Sequence, residues 1–198
     1  MPPPAKKTRI RDPEFNRQRL IDSAVELMAE KGVEGISYKE VVERSGLSRS
    51  GAYLHFSGKD ELVEAVREWI KEKLLDSVVG VDLGDNVYER VLFTTRLVLQ
   101  YPDAARIMIS DSLSGYGLGL TDPLYKAINQ RIKKRRKTGY MEHDLDPEVT
   151  TFIQFGSICS TLLFVDQHPN INTDKLAKRF AKQWSEILEA GIIRSEEP

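Results

Sequence analysis

The sequence predicts an all-α protein: an N-terminal three-helix head with a helix-turn-helix arrangement at residues 15–60, followed by a larger helical body at 61–198. Three observations predict it. Apolar residues recur at i, i+3/i+4 and i+7 through most of the chain, cap residues and glycine stops punctuate that period, and no stretch sustains the strand alternation of period two.

The elements follow in order. Residues 1–14, with Pro2, Pro3, Pro4, Lys6, Lys7, Arg9 and Arg11, read as a disordered basic arm. Leu20, Ile21, Ala24, Val25, Leu27 and Met28 then follow the amphipathic template, and Gly32 is placed as the C-terminal stop. Ser37-Tyr38-Lys39-Glu40 fits a capping box, in which a hydroxyl caps a backbone N–H and a Glu three residues on reaches back. The second helix is short, with Val41 and Val42 facing inward and Ser45-Gly46 ending it. Ser48 caps a third helix carrying Arg49 to His55, and Ser57-Gly58-Lys59-Asp60 breaks it. A long fourth helix has its apolar positions at Leu62, Val63, Val66, Trp69, Ile70 and Leu74. Gly84-Asp85 opens the next helix, which Pro102 breaks before a shorter one at 103–112. Ser112 to Thr121, with alternate glycines at 115, 117 and 119, reads as a mobile lid. Helices at 122–137, 147–167 and 173–190 complete the chain, their starts marked by Asp122-Pro123, Asp146-Pro147 and Thr173 or Asp174.

Charge is distributed unevenly. Residues 1–59 hold eleven Lys and Arg against eight acids, whereas 60–198 hold eighteen against twenty-two, so a basic end precedes a mildly acidic body. That asymmetry points to a polyanion partner for the first third. Balanced charge overall, with 40% hydrophobic residues, excludes a disordered chain. No apolar run approaches the roughly 18 residues that span a bilayer, and no apolar segment follows the N-terminal charges, so a cytoplasmic protein without membrane partners is expected. Cys159, the single cysteine, sits among Ile158, Leu162 and Leu163, neighbours that raise a thiol pKa.

Two short helices joined at Gly46 by a tight turn, the second capped by Ser48, make a helix-turn-helix. In that geometry the first helix crosses the phosphate backbone and holds the N-terminal side chains of the second against base edges in the major groove. The local sequence resembles the TetR family of bacterial transcriptional regulators. The resemblance runs from Arg19-Leu20-Ile21-Asp22-Ser23-Ala24 and Glu30-Lys31-Gly32 through Ser37 to Val42 and Ser45 to Ser48. It ends in Tyr53-Leu54-His55-Phe56-Ser57-Gly58-Lys59-Asp60-Glu61-Leu62, which matches the signature Tyr-x-His-Phe-x-x-Lys-x-x-Leu at every fixed position. Past residue 75 the likeness is in kind only. Departures are Val42 and Ser45 where Ala is usual, and Ala52 where a larger aliphatic is usual, so a larger residue in one helix is offset by a smaller one in the next.

On the recognition helix, Arg49 can fork onto guanine O6 and N7 or fall back to a phosphate, with Ser50 and Gly51 on the same exposed face beside the capping Ser48. Gly51 costs roughly 1 kcal/mol relative to Ala inside a helix. The resemblance implies a phosphate contact for Tyr53, a phosphate contact or packing against helix 1 for His55, a phosphate clamp at Lys59, and backbone contacts for Ser37 and Tyr38. Arg44 reads equally as a contact or as a solvated residue. The expected partners are an operator in double-stranded DNA, a second copy of the chain and a small-molecule effector, with a repressor released by its ligand as the regulator implied.

In the body, Trp69, Phe93, Met108, Tyr116 and Phe155 are the candidate lining of an apolar ligand pocket. The fourth helix, running from the head to Trp69 over roughly 15 Å at about 1.5 Å per residue, is the candidate transmitter. Phe152, Gly156 and Leu163 on one helix, and Phe180, Trp184 and Ile187 on the last, are candidate dimer-interface residues. The basic run from Arg131 to Lys137 reads as a solvated helix end complementing the dipole. The glycine loop lacks the strand and Gly-Lys-Ser/Thr of a nucleotide site. Glu142, His143 and Asp144 are adjacent rather than spaced as metal ligands, so neither cofactor nor metal is expected, and no catalytic constellation is visible. A nucleoid-type binder without ligand control and, behind it, a helical enzyme are the alternatives.

Overall fold

The computed structural model describes residues 12–81, 86–114, 118–137 and 146–193. Residues 1–11 of the arm, Gly84-Asp85, Gly115, Tyr116, Gly117, and Glu142, His143 and Asp144 lie outside them. The described residues form helices and no strand. Two compact units, Met1–Arg67 and Glu68–Pro198, divide the chain.

In the first unit, α1 (Pro13–Lys31) starts where Asp12 accepts from Glu14 N at 3.0 Å, two residues inside the expected arm. Proline at the first position loses nothing, because its missing N–H had no helical partner. Gly32 ends the helix at φ 75, donating its N–H to Met28 O at 2.8 Å. The capping box of α2 (Tyr38–Ser45) is complete: Ser37 Oγ accepts from Glu40 N at 3.3 Å and Ser37 N donates to Glu40 Oε2 at 2.9 Å. Gly46 then takes the left-handed conformation, φ 66, that lets the chain reverse without a Cβ penalty. α3 spans only Arg49–Tyr53, two residues short of the expected third helix. Leu54 N and His55 N bond three residues back, to Gly51 O and Ala52 O, so the last turn is tightened rather than propagated.

The three helices close on Leu20, Ala24, Met28, Val41 and Ala52, all with no exposed surface, and Phe56 at 2%. Val42 and Ala52, the paired departures in size, are both buried. Arg44 is exposed, and its guanidinium forks onto Glu30 at 2.7 and 3.0 Å, tying α2 to α1.

The fourth helix is divided. α4 (Lys59–Ile70) passes into a π turn at Lys71–Leu75 and then into α5 (Asp76–Gly80). In the second unit, α6 (Val87–Gln100), capped by Asn86, packs on α10 (Thr173–Ile193) and on α9 (Pro147–Gln167); α9 also packs on α7 (Pro102–Ser114) and α8 (Thr121–Lys137). Val87, Val91, Leu92, Ala177 and Ala181 form the α6–α10 core, with Tyr88, Leu99, Phe180 and Trp184 packed against it. Arg96 forks onto Asp174 at 2.9 and 2.6 Å along the same seam. Arg131, expected on a solvated helix end, instead donates to Val78 O at 2.8 Å and Val79 O at 3.2 Å, satisfying carbonyls at the end of α5.

α9 has 21 residues, and an 18-residue window within it has a mean hydropathy of 1.4, long and apolar enough to cross a membrane by length and composition. Within the fold its apolar content divides between two faces. Ile158 and Leu162 are buried inward, while Val149, Phe152, Ile153 and Leu163 stand outward.

Candidate nucleic-acid interface and ligand cavity

The candidate DNA residues fall into an engaged set and an unengaged one. Ser37 Oγ donates to Glu40 Oε2 at 2.8 Å while accepting at the cap, so its proton serves α2. Lys31 and Ser37 together hold the Glu40 carboxyl well below the usual range, at about 2. Tyr38 donates its hydroxyl to Phe56 O at 2.8 Å and stacks at 5.2 Å, tilted, on Tyr53; burial, with Tyr53 and Glu61 beside it, raises the phenol. The hydrogen with which Tyr38 would donate to a phosphate is therefore used inside the head. Lys59 Nζ donates to Ile36 O at 2.9 Å and Glu34 O at 3.2 Å, clamping the α1–α2 connection and leaving one of three ammonium hydrogens for an outside acceptor.

The exposed set lies on α3. Ser48 Oγ accepts from Gly51 N at 3.1 Å and lies 3.4 Å from Ser50 Oγ. Arg49 is exposed, its guanidinium 5.8 Å from the Tyr53 ring and without a carboxylate partner among the described residues. Such a fork, held over an aromatic face, keeps its five donors for an outside acceptor. A Cβ at Gly51 would stand 2.9 Å from Ser48 Oγ, so glycine here protects the cap. His55 is half-buried.

Leu54, to which periodicity assigns no role, is 80% exposed beside Tyr53. Its signal is its place as the variable residue in Tyr-x-His-Phe. An apolar side chain at the end of such a helix has the chemistry to meet a thymine methyl.

In the second unit, a cavity of about 400 Å³ is lined by Ser112, Thr121, Asp122, Tyr125, Glu148, Phe152 and Phe155. Of the expected pocket residues, Phe155 is on this wall. Trp69 meets Tyr101 edge to face at 6.3 Å, Met108 is 2% exposed in the core, and Phe93 is half-buried off the cavity. Tyr116 lies outside the described residues.

Of the candidate dimer residues, Phe152, Leu163 and Ile187 are 60%, 67% and 53% exposed, and Gly156 lies among them on the outer face of α9. Phe180 and Trp184 are instead half-buried against the chain's own α6–α10 core, their rings stacked at 6.4 Å, because i and i+4 residues share one helical face. Cys159 is in α9, and burial pushes its thiol up to about 11. Among the described residues no three His, Cys, Asp or Glu side chains form a metal-holding group.

Known proteins resemble this chain in sequence and in fold. Residues 20–66 match the family described as bacterial regulatory proteins, tetR family. The HTH-type transcriptional regulator SrpR of Pseudomonas putida is 26% identical over 168 residues, covering 80% of this chain and 78% of SrpR. The HTH-type regulator YvdT of Bacillus subtilis is 31% identical over 75 residues, covering 38% of this chain and only 39% of YvdT. A tetR-family regulatory protein from Rhodococcus RHA1 shares the fold, with a TM-score of 0.67 at 16% identity over 87% of this chain and 96% of that one. The family match runs from within α1 to within α4 and includes the capped α3, so residues 20–66 carry a helix-turn-helix domain of the tetR family, and the SrpR alignment carries on into the body.

Proposed function

We propose that the protein is a repressor that binds a double-stranded DNA operator as a homodimer and leaves it when a small ligand enters the body. The observation that carries the reading is the state of α3: capped by Ser48, anchored through fully buried Ala52, and presenting Arg49 and Ser50 outward with no competing ionic partner among the described residues. Arg49 reads a guanine, Tyr53 and the remaining hydrogen of Lys59 meet phosphates, and Ser37 and Tyr38 support the helix that crosses the backbone.

A dimer is supported by the outward apolar face of α9, with Phe152, Ile153 and Leu163, joined by Ile187 of α10. A ligand is supported by the cavity that Phe155 lines. Release on ligand binding is what the family resemblance implies, and it requires the ligand to prefer one of two states of the dimer. A tenfold loss of operator affinity corresponds to about 1.4 kcal/mol of coupling.

Footprinting on the DNA upstream of the protein's own reading frame, with and without candidate ligands, tests this. The expected result is a protected, two-fold symmetric site that ligand clears. Uniform coating of any DNA, with no ligand effect, would instead establish a nucleoid-type binder.

A further inference from the structure

The cavity between α7, α8 and α9 has a chemistry that the apolar reading does not explain. Tyr125, Phe152 and Phe155 supply aromatic faces, the first two with ring centroids 5.2 Å apart, while Asp122 and Glu148 supply carboxylates and no Lys or Arg is among the described lining residues. Asp122 already has a counter-charge in Lys126 at 2.8 Å. Glu148 has no cationic partner among the described residues. Tyr125 carries a buried hydroxyl that lies near Glu148 and Asn129 without an atom in hydrogen-bonding geometry, and burial followed by the Glu148 carboxylate raises its pKa. Asp146, the cap of α9, adds a third negative group close by.

A neutral apolar ligand closing over this wall would strip water from the Glu148 carboxylate and offer it nothing, and an anion would repel it; a cation meets the carboxylate and three π faces at once. We propose that the cavity is the site of a bulky hydrophobic cation, such as an aryl-substituted phosphonium or quaternary ammonium ion. This names the effector class within the ligand-release reading above and rests on it.

Calorimetric titration of the full chain with tetraphenylphosphonium chloride and with sodium tetraphenylborate, ions of the same shape and opposite charge, tests the proposal without any variant. The phosphonium is expected to bind at least about tenfold tighter, and Glu148→Gln, which keeps the shape, to weaken it about tenfold. Equal or tighter binding of the borate, no binding of the phosphonium, or an unchanged phosphonium affinity in Glu148→Gln would overturn it. Operator binding separates the two readings. If the phosphonium binds as expected but does not move operator affinity, the cation site stands and ligand release falls. If an uncharged ligand releases DNA while the phosphonium fails to bind, ligand release stands and the cation site falls.

Discussion

Gly51 shows how one position balances helix stability against DNA contact. An alanine there gains about 1 kcal/mol of helix propensity but stands 2.9 Å from the Ser48 oxygen, whose cap on the Gly51 N–H is worth about 1 kcal/mol. The two nearly cancel. Gly51→Ala should therefore leave the urea midpoint almost unchanged while lowering operator affinity, because its methyl stands on the face offered to DNA; a large stability loss would mean the clash outweighs the propensity. Arg49 and Lys59 should separate in a different way. Arg49→Ala, removing a side chain with no ionic partner among the described residues, should relax preference at one base position by roughly 1–3 kcal/mol and leave stability alone. Lys59→Ala removes two bonds to the carbonyls of Glu34 and Ile36, so it should lower the melting temperature and flatten the salt dependence of binding by about one unit without changing sequence preference. Melts and salt titrations of both variants decide between these assignments.

At the scale of the element, the start of α2 should be the acid-sensitive part of the head. Glu40 is held at about 2 against an ordinary 4.5 by Lys31 first and then by Ser37, and Glu30 and Glu61 are lowered in the same direction by Arg44 and Ser57. A depressed folded value means that the stabilisation is fully present above about 4.5 and is lost as pH falls through the range towards 2. Thermal melts between pH 6 and pH 2.5 should show this loss, and Glu40→Gln should flatten the acid side of the profile. A wild-type slope retained in that variant would assign acid sensitivity to other groups.

For the whole molecule, the decisive question is association. Leu163 and Ile187 stand outward on α9 and α10, whereas Phe180 and Trp184 lean on Val87, Val91 and Ala181 of the same chain. Charging Phe180 or Trp184 would damage the body's own core as well as any interface, so it does not isolate the dimer. Leu163→Glu combined with Ile187→Glu should instead give monomers in sedimentation with unchanged helical circular dichroism and much weaker operator binding. A dimer that survives the pair of changes would place the interface elsewhere.

Interactions between near neighbours along the chain are legible from the residues alone. The capping box at Ser37 and Glu40, the reversal at Gly46, the Ser48 cap and the Asp146-Pro147 start join residues two to four apart, and α9 runs from Pro147 to Gln167 as its caps and period require. Which charges and apolar faces are engaged depends instead on how distant elements pack. Arg44 meets Glu30, Lys59 meets Glu34 and Ile36, and Arg131 meets Val78, pairs separated by 14 to 53 residues that no local period encodes. The same holds for Trp69, which joins Tyr101 rather than the cavity, and for Phe180, whose apolar helix face is equally suited to a partner subunit or to α6. A hydrophobic stripe specifies that something must cover it, and only the packing of distant elements specifies what.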